Sequence, residues 1–381
     1  MRVVYYLPSL YIAGGLERVI TGKANYLADQ LGYEVTILTS EQQEREICYP
    51  LSPRVRHHDL GVVIDNPKER SLLLKILTYP VKYVQFKKRF SAFLIDTKPD
   101  ITISTLRRES NFIHTIPDGS IKIGELHITR NAHSILSNKI RKYLKPIHHY
   151  LNRRFVNKLK RFDKIILLTK EEQEMWPELN NTVVIPNYQD MECETPAALK
   201  HKRVIAVGRY TYQKGFDLLA EAWSIVAKRH PDWSLHIYGE GDRTGLEKRI
   251  NELNLTKSFI ANGKTDAIIE KYLESAIFVL SSRYEGFGMV LTEAMKCGVP
   301  PISFACPTGP RDIISHGVDG LLVENGNIKQ LAEMICYLIE NEDVRKWMGG
   351  NARESVKRFK MEVIMSQWQN LFEDLMKRHL S

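Results

Sequence analysis

The amino-acid sequence predicts an α/β protein with two doubly wound parallel sheets. A strand, a glycine turn, a helix and a second strand follow one another within residues 2–39, which is typical of a βαβ unit. A second series of alternating strands and helices begins at residue 203. The composition is that of a globular protein, with 43% hydrophobic and 26% charged residues, and it excludes a collagen-like or wholly disordered chain. At 381 residues the chain is long enough for two domains.

The first half of the chain contains apolar runs bounded by turn residues. The predicted strands are residues 2–7, 34–39, 101–104 and 164–169. Between the first two strands, apolar side chains recur at helical spacing from Val19 to Leu31, and Gly32 ends this pattern. A second helix, rich in Leu and Phe, is predicted over residues 71–95. We expect a break at Pro80, because proline removes a backbone donor and clashes with the preceding turn.

The excess of positive over negative charge is confined to the first half of the chain. The formal net charge of +9 lies entirely in residues 1–190, since residues 191–381 carry equal numbers of acidic and basic side chains. Residues 139–164 contain ten Lys or Arg but a single acid, Asp163, and apolar residues at helical spacing predict a basic amphipathic helix from Lys139 to Phe162. This pattern favours docking on an anionic membrane surface, although the apolar stripe can equally pack on the protein's own sheet with the cations solvated.

Several classes of protein are excluded or disfavoured by simpler features. No apolar run approaches the ~18 residues of a membrane-spanning helix, and residues 1–6 are typical of a strand rather than a signal peptide, so we expect a cytoplasmic protein. The five cysteines are scattered and form no Cys-x-x-Cys pair, which argues against a disulfide framework or a zinc ribbon.

A domain boundary is predicted where the first half ends. Residues 183–187 close the first series of elements, and the polar, irregular stretch up to Lys202 is interpreted as a linker. The strands predicted after it are residues 203–207, 234–238, 277–280 and 301–304. Ligands of open α/β sheets bind beyond the carboxyl ends of the strands, so the loops there are the candidate sites.

Three of these loops contain glycine next to polar or charged residues. Gly14 and Gly15 follow the first strand and can let backbone amides approach a phosphate, but they form neither a dinucleotide fingerprint nor a P-loop, and a simple turn fits equally well. Arg209 and Lys214 follow the first strand of the second half and can neutralise a diphosphate, or be two solvated surface cations. Gly239 begins an acidic loop that can line a cleft or serve only as a turn.

The strongest signal is the segment from Glu285 to Glu293. An acid, two glycines and a helix that starts near Met289 follow a strand, and a second acid is expected in the first helical turn. The backbone amides that can meet an anion belong to Gly286, Phe287, Gly288, Met289 and Val290. Carboxylates on either side of an anion site suit a nucleotide sugar, although each glutamate alone can be a loop carboxylate or a stabiliser of the helix dipole.

Taken together, these residues resemble the retaining family 4 glycosyltransferases, which have the GT-B fold. The resemblance rests on the Gly14–Gly15 loop, the segment 185–187, the Arg209 and Lys214 turn, and the Glu-x7-Glu pattern of Glu285 and Glu293. It implies two Rossmann-like domains that face each other across a cleft. The implied domains are an acceptor-binding domain of residues 1–186 with a returning C-terminal helix at about 361–381, and a nucleotide-sugar domain of residues 187–360.

The resemblance also implies roles for individual side chains. Glu285 would contact hydroxyls of the donor sugar, and Glu293 would contact the ribose. Arg209 and Lys214 would hold the diphosphate, which Gly15 would approach from the first domain. The segment 125–127 resembles the family's first-domain segment with a histidine near the reacting sugar, which suggests His127. Residues 308–312 depart from the usual glycine pair and glutamate of the family.

The implied reaction transfers a sugar from a nucleotide diphosphate sugar, with UDP favoured over GDP-mannose, to a hydroxyl of a glycan or lipid-linked glycan with retention of configuration. No cofactor or metal is expected, because the chain contains no Asp-x-Asp and cations would neutralise the leaving group. The expected location is the inner face of the plasma membrane. The alternatives are a nucleic-acid-binding protein that uses the basic half, a nucleotide-sugar epimerase and a phosphorylase; for the last, no local sequence proposes a pyridoxal phosphate lysine.

Overall fold

The computed structural model describes residues 1–64, 72–130 and 145–380 of the chain. The chain divides into two compact units, each built around one parallel sheet. The N-terminal unit comprises Met1–Leu167, Gln173–Ile185 and Met365–Ser381. The C-terminal unit comprises Leu168–Glu172 and Pro186–Ile364. The predicted class, α/β with two doubly wound parallel sheets, is confirmed.

The sheet of the N-terminal unit has seven strands among the described residues. In chain order they are β1 (Arg2–Tyr6), β2 (Glu34–Thr39), β3 (Arg56–Asp59), β4 (Ile101–Ser104), β5 (Ile121–Leu126), β6 (Lys164–Leu167) and β7 (Thr182–Val184). Their spatial order is β3-β2-β1-β4-β5-β6-β7, and all neighbours run parallel. The helices that connect them are α1 (Gly15–Asp29), α2 (Leu72–Thr97), α3 (Lys145–Leu159) and α4 (Lys170–Glu174).

The expected break at Pro80 is wrong, because α2 continues through it from Leu72 to Thr97. The proline deprives the carbonyl of Ile76 of its donor, and both residues lie on the exposed side of the helix. Water can therefore satisfy this carbonyl. The opposite face of α2 is held by burial, since Phe86 and Phe90 pack around Tyr6 with ring centroids 5.0 to 5.8 Å apart.

The predicted basic helix is described from Lys145 onward as α3, and residues 139–144 lie outside the described residues. Val156 and Leu159 of α3, with Phe162 after it, are buried in the core of the N-terminal unit. Arg153 and Arg154 are exposed. The described apolar residues of α3 therefore do pack on the protein itself, while Arg153 and Arg154 face solvent.

The sheet of the C-terminal unit has six strands among the described residues. They are β8 (Arg203–Val207), β9 (Ser234–Tyr238), β10 (Phe259–Asn262), β11 (Ile277–Leu280), β12 (Pro301–Phe304) and β13 (Leu321–Val323). Their spatial order is β10-β9-β8-β11-β12-β13, again with all neighbours parallel. This order places β8 beside β11, so the loops that follow these two strands emerge at the same edge of the sheet.

Helices cover this sheet and continue to the end of the chain. They are α5 (Phe216–Arg229), α6 (Thr244–Glu252), α7 (Ile268–Leu273), α8 (Met289–Lys296), α9 (Pro310–Ile313), α10 (Ile328–Glu340), α11 (Glu342–Ser355) and α12 (Met361–Leu380). The division between the two units falls within α12, after Ile364. None of the helices in the described part of the chain is long and apolar enough to cross a membrane.

Candidate functional site

Lys214 and Glu285 form an ion pair at the carboxyl ends of β8 and β11. Lys214 ends a short 3-10 turn after β8, and its Nζ lies 2.7 Å from Oε1 of Glu285. The hydroxyl of Ser282 donates to the same carboxylate oxygen at 2.6 Å. Both charged side chains are largely shielded, with 14% of Lys214 and 7% of Glu285 exposed. The structure thus brings together two of the residues that the sequence singled out.

The backbone of Glu285 is clamped by the loop after β12. Its N–H donates to the carbonyl of Pro307 at 3.0 Å, and its carbonyl accepts a hydrogen bond from the Thr308 hydroxyl. The N–H of Thr308 in turn donates to Glu171 at 3.2 Å. Pro307, and Thr308 at the start of the segment that departs from the family pattern, therefore position Glu285 by contacts to its backbone.

A second ion pair fixes the turn that carries Lys214. Arg283 binds both carboxylate oxygens of Asp217, at 2.9 and 2.6 Å, and donates to the carbonyl of Tyr212 at 2.8 Å. Its guanidinium also lies 4.0 Å from the centroid of the Tyr212 ring. Such a planar, bidentate contact is specific to arginine. Sequence reasoning missed Arg283, although its position just after β11 is the kind of place that carries site residues.

Gly239 and Gly208 bring two loops into backbone contact. A Cβ atom on Gly239 would lie 1.8 Å from the carbonyl oxygen of Gly208, so only glycine fits there. A Cβ atom on Gly208 would lie 2.9 Å from Cε of Lys214, so the lysine stem packs against this bare backbone. The position of Gly239 therefore supports the loop that precedes Arg209.

Arg209 lies on the loop after β8 and is exposed. Within the described ranges, its guanidinium has no hydrogen-bond or ion-pair partner, in contrast to Lys214. The loop around it is anchored by Tyr210, whose N–H donates to Glu240 and whose hydroxyl donates to the Asn262 carbonyl at 2.6 Å. Arg209 can therefore meet an anionic ligand without first breaking a contact with the protein.

Helix α8 begins as the sequence predicts, but Glu293 lies one turn deeper than expected. Gly288 has a φ of +97° and precedes the first helical residue, Met289, so Glu293 falls in the second turn. The prediction of an acid in the first turn is therefore wrong. A carboxylate stabilises the helix dipole only from the first turn, so Glu293 does not have that role. Glu293 is 6% exposed and accepts a hydrogen bond from the buried Tyr272 hydroxyl at 3.2 Å.

The loop between Glu285 and α8 is held by burial of Phe287. Its ring packs edge-on against Phe359 with the centroids 5.5 Å apart, and only 4% of the residue is exposed. Gly286 and Gly288 flank it, and the amides of Met289 and Val290 open the helix. These residues make the helix N-terminus that the sequence proposed as an anion site.

The remaining predicted residues, Gly14, Gly15 and His127, belong to the N-terminal unit. Gly14 precedes α1, and a Cβ atom there would lie 2.3 Å from Oε2 of Glu17, so the Glu17 carboxylate folds back over the glycine turn. Gly15 is the first residue of α1. His127 follows β5, with its Nε2 atom 3.1 Å from Oε1 of Glu125.

Glu125 is the centre of a buried charge cluster that the sequence did not reveal. The carboxylate forms an ion pair with Lys23 of α1, and both side chains are no more than 2% exposed. The Lys23 ammonium also lies 4.5 Å from the ring centroid of Trp368 in α12. Burial alone would raise the pKa of Glu125, but the charges of Lys23 and His127 lower it to about 2.

A metal-type cluster lies elsewhere in the C-terminal unit. His230, Cys336 and Glu340 present ligand atoms within 4.8 Å of one another. The imidazole Nε2 of His230, which follows α5, lies 2.9 Å from a carboxylate oxygen of Glu340 in α10, so a hydrogen bond accounts for the proximity of these two residues. None of the three residues is among the predicted site residues.

Comparison with known proteins identifies the class of this chain. Residues 189–355 match the sequence model of the family "Glycosyl transferases group 1". An uncharacterized glycosyltransferase of Haemophilus influenzae is 26% identical and is aligned over 97% of this chain and 99% of its own length. The amylovoran biosynthesis glycosyltransferase AmsD of Erwinia amylovora is 27% identical, with the same coverage of each chain.

Solved structures share the fold. Sucrose-phosphate synthase from Thermosynechococcus elongatus superimposes with a TM-score of 0.83 over 99% of both chains, at 20% identity. HepE of Anabaena, crystallised with UDP and glucose, gives a TM-score of 0.73 over 97% of this chain and 99% of its own, at 18% identity. This chain is therefore a glycosyltransferase of the GT-B fold type that carries a group 1 glycosyltransferase domain over residues 189–355.

Proposed function

We propose that this glycosyltransferase moves a sugar from a UDP-sugar to a hydroxyl of a glycan or lipid-linked glycan, with retention of configuration, in the synthesis of a surface polysaccharide. The observation that carries the donor site is the Lys214–Glu285 pair beside the N-terminus of α8. AmsD, named for amylovoran biosynthesis, supports the product class, and the UDP complex of HepE supports the donor base.

The departing diphosphate is the charge that the site must stabilise. Arg209 supplies an exposed guanidinium, Lys214 supplies an ammonium, and the amides from Phe287 to Val290 supply partial positive charge at a helix N-terminus. The Arg283–Asp217 pair and the contact of Gly239 with Gly208 hold the loop that carries Arg209 and Lys214 in place before the reaction. In this proposal the cations and amides stabilise the negative charge that develops on the leaving diphosphate, without a metal.

The carboxylates bind hydroxyl groups at the two ends of the donor. Glu285 accepts from hydroxyls of the transferred sugar, and its contact with Lys214 links sugar binding to diphosphate binding. Glu293 accepts from the ribose. Neither acid acts as a nucleophile: the bond from the anomeric carbon to the diphosphate breaks on the face that the acceptor oxygen attacks, and a diphosphate oxygen takes the acceptor proton.

The proposal also includes His127 and the cell membrane. In this proposal His127 contacts a sugar substrate, and the Glu125 carboxylate, 3.1 Å from its Nε2 atom, orients the ring. The enzyme works at the cytoplasmic face of the membrane, where the cationic helix α3 attracts anionic lipids.

Calorimetric titration with UDP tests the donor site. Lys214→Met should weaken UDP binding by about tenfold to a hundredfold, because a charge-assisted contact to phosphate is lost. Lys257→Met removes an exposed lysine from the same unit and should leave the affinity unchanged. Equal UDP affinity in wild type and a folded Lys214→Met variant would contradict the assignment.

A thermal-shift screen tests the donor base. UDP-sugars should raise the melting temperature of the C-terminal unit more than GDP-mannose at equal concentration. If only GDP-mannose stabilises the protein, UDP is rejected as the donor base, whereas the location of the donor site is retained. Anomeric analysis of the product by NMR then tests retention.

A further inference from the structure

A short segment from the first half of the chain belongs to the C-terminal unit. Leu168–Glu172 is part of that unit, although the residues on either side of it belong to the N-terminal unit or lead into the linker. The segment contains the first three residues of α4, which is only five residues long. A helix of little more than one turn is not stable alone, so contacts with other parts of the protein hold it in place.

Asp312 of α9 caps the N-terminus of α4. Its two carboxylate oxygens accept hydrogen bonds from the backbone N–H groups of Lys170, at 2.9 Å, and Glu171, at 3.3 Å. The next N–H group, that of Glu172, donates to the hydroxyl of Thr169 at 3.0 Å. The first N–H groups of a helix have no partner within the helix, so Asp312 supplies acceptors that α4 itself lacks.

Glu171 makes the reciprocal contact with α9. Its carboxylate accepts hydrogen bonds from the N–H of Thr308 at 3.2 Å and from the guanidinium of Arg311 at 2.8 Å. Burial raises the pKa of Glu171, and the nearby charge of Asp312 acts in the same direction, whereas Arg311 and the Thr308 N–H oppose this shift. The ionised carboxylate therefore depends on these two donors, and α4 and α9 hold each other by contacts in both directions.

Thr308 has a strained backbone between these contacts. Its φ of +59° lies in the left-handed region, which a β-branched residue rarely adopts. Such a conformation persists only where the surrounding structure imposes it, and it occurs often at functional sites. Here the N–H of Thr308 is bound by Glu171, and its hydroxyl donates to the carbonyl of Glu285. The strain is therefore maintained at the residue that links Glu171 to Glu285.

Gly309 extends the contact to the rest of the loop that contains Glu285. A Cβ atom on Gly309 would lie 1.9 Å from the carbonyl oxygen of Phe287, so only glycine lets the two loops approach this closely. The N–H of Glu285 also donates to the carbonyl of Pro307. Residues 307–309 thus contact the backbone of residues 285–287 at three points.

We infer that Glu171 and Asp312 are positioning residues for Glu285. Their reciprocal contacts fix α4 against α9 and thereby fix Thr308 and Gly309, which set the backbone from which the Glu285 side chain extends. This deepens, and rests on, the proposed function, in which Glu285 accepts hydrogen bonds from hydroxyls of the transferred sugar.

The inference separates recognition of the sugar from binding of the diphosphate. The loop that carries Arg209 and Lys214 is held by different contacts, those of Arg283 and Gly239. Loss of the contacts between α4 and α9 should therefore reduce the affinity for a UDP-sugar more than the affinity for UDP.

Calorimetric titration with UDP and a UDP-sugar tests this difference. The probe is the sugar nucleotide that the wild type binds best among UDP-glucose, UDP-galactose and UDP-N-acetylglucosamine. Glu171→Ala and Asp312→Ala should each lower the ratio of probe affinity to UDP affinity by about tenfold, because a displaced carboxylate loses hydrogen bonds to sugar hydroxyls. A ratio equal to that of the wild type would contradict the inference.

A double-mutant cycle shows whether the effect passes through Glu285. Glu285→Ala alone should lower the same affinity ratio. Glu171→Ala added to Glu285→Ala should lower it no further, because the side chain that Glu171 positions is already absent. Additive losses would show that Glu171 acts independently of Glu285 and would reject the positioning role.

Conservative variants separate positioning from a general loss of structure. Thr308→Val removes the hydroxyl that bonds the Glu285 carbonyl but keeps the shape of the side chain, so it should lower the affinity ratio. Thr308→Ser keeps the hydroxyl and should retain the wild-type ratio. Glu171→Gln keeps an acceptor for the Thr308 N–H and should recover part of the loss seen in Glu171→Ala. A wild-type ratio in Thr308→Val would overturn the inference.

Hydrogen exchange measured by mass spectrometry tests the positioning without a ligand. Peptides that cover residues 283–290 should exchange faster in Glu171→Ala and Asp312→Ala than in the wild type, because the N–H of Glu285 is less well protected. Peptides that cover residues 244–252, in α6, should exchange equally in all three proteins. Unchanged exchange at residues 283–290 would reject the inference.

Matched controls remove acids from other ion pairs of the C-terminal unit. Asp232 pairs with Lys202, and Glu342 pairs with Lys346. Asp232→Ala and Glu342→Ala should leave both the affinity ratio and the exchange of residues 283–290 unchanged. If they change both as Glu171→Ala does, the effect reflects a general loss of charge or stability and the inference fails.

The inference and the proposed function can fail separately. If the wild type binds neither UDP nor any of the three UDP-sugars, the proposed function is wrong, while faster exchange in Glu171→Ala would still support the positioning of Glu285. If the wild type binds a UDP-sugar and the variants match it in affinity ratio and exchange, the inference is wrong and the proposed function stands.

Discussion

Replacement of the buried Lys23 should strongly destabilise the N-terminal unit. Lys23→Met leaves the Glu125 carboxylate buried without its main partner, which should destabilise the fold by about 3 to 5 kcal/mol. Calorimetric melting of the wild type and the variant at neutral pH measures this. The double variant Lys23→Met with Glu125→Gln should recover most of the loss, and a single variant as stable as the wild type would contradict the prediction.

The same pair should make stability depend on pH. The pKa of Glu125 is lowered from 4.5 to about 2 in the folded protein, so its charged form stabilises the fold above pH 4.5 and this contribution is lost as the pH falls towards 2. The stability gap between the wild type and Lys23→Met should therefore narrow over this range. A gap that stays constant would show that the charge of Glu125 is not responsible.

At the scale of single residues, the sequence predicted which loops carry the site residues, but it did not predict which of these residues contact each other. Lys214 and Glu285 were selected because both follow strands, but their ion pair depends on β8 lying beside β11, with two other strands between them in the chain. Lys23 lies among the apolar positions of α1, between Ile20 and Leu27, and this was the available signal of a buried lysine. Its partner Glu125 follows a hundred residues later, which no local pattern reveals.

At the scale of structural elements, a prediction follows from the backbone contact between the loops after β8 and β9. Gly239→Ala should weaken UDP binding by about tenfold or more, because the new Cβ atom displaces Gly208 and with it the loop of Arg209 and Lys214. Gly263→Ala is a matched control, since a Cβ atom there meets nothing within 4 Å. Calorimetric titration of both variants measures the difference, and similar affinities would show that the contact does not position the site.

Prediction from the sequence succeeded for most strands that are apolar runs, including four-residue strands such as β4 and β11, and missed strands that mix apolar with charged residues. Strands such as β2 and β8 have their predicted bounds. In contrast, β3 reads Arg-His-His-Asp at the edge of its sheet, and β5 contains Lys122 and Glu125, which are buried by pairing with other charges. Tertiary contacts decide such segments, so periodicity could not identify them.

At the scale of the whole molecule, the prediction concerns helix α12. Trp368 of α12 is 1% exposed and belongs to the N-terminal unit, so Trp368→Ala should lower the stability of that unit by about 3 to 5 kcal/mol. Trp347→Ala, at a residue that is 54% exposed on α11, is the matched control and should change little. Under the proposed function, UDP binds and stabilises the C-terminal unit. Calorimetry in the presence of UDP can therefore separate the melting transitions of the two units. A loss confined to the C-terminal unit would contradict the prediction.

The place of α12 also bears on how the protein is made. The ribosome releases the strands of the N-terminal unit long before residues 365–381, yet the pocket for Trp368 and the cation contact of Lys23 are filled only by that late segment. The C-terminal unit, whose residues end at Ile364, has every strand available earlier. The half of the enzyme that is translated first is therefore the half that finishes folding last.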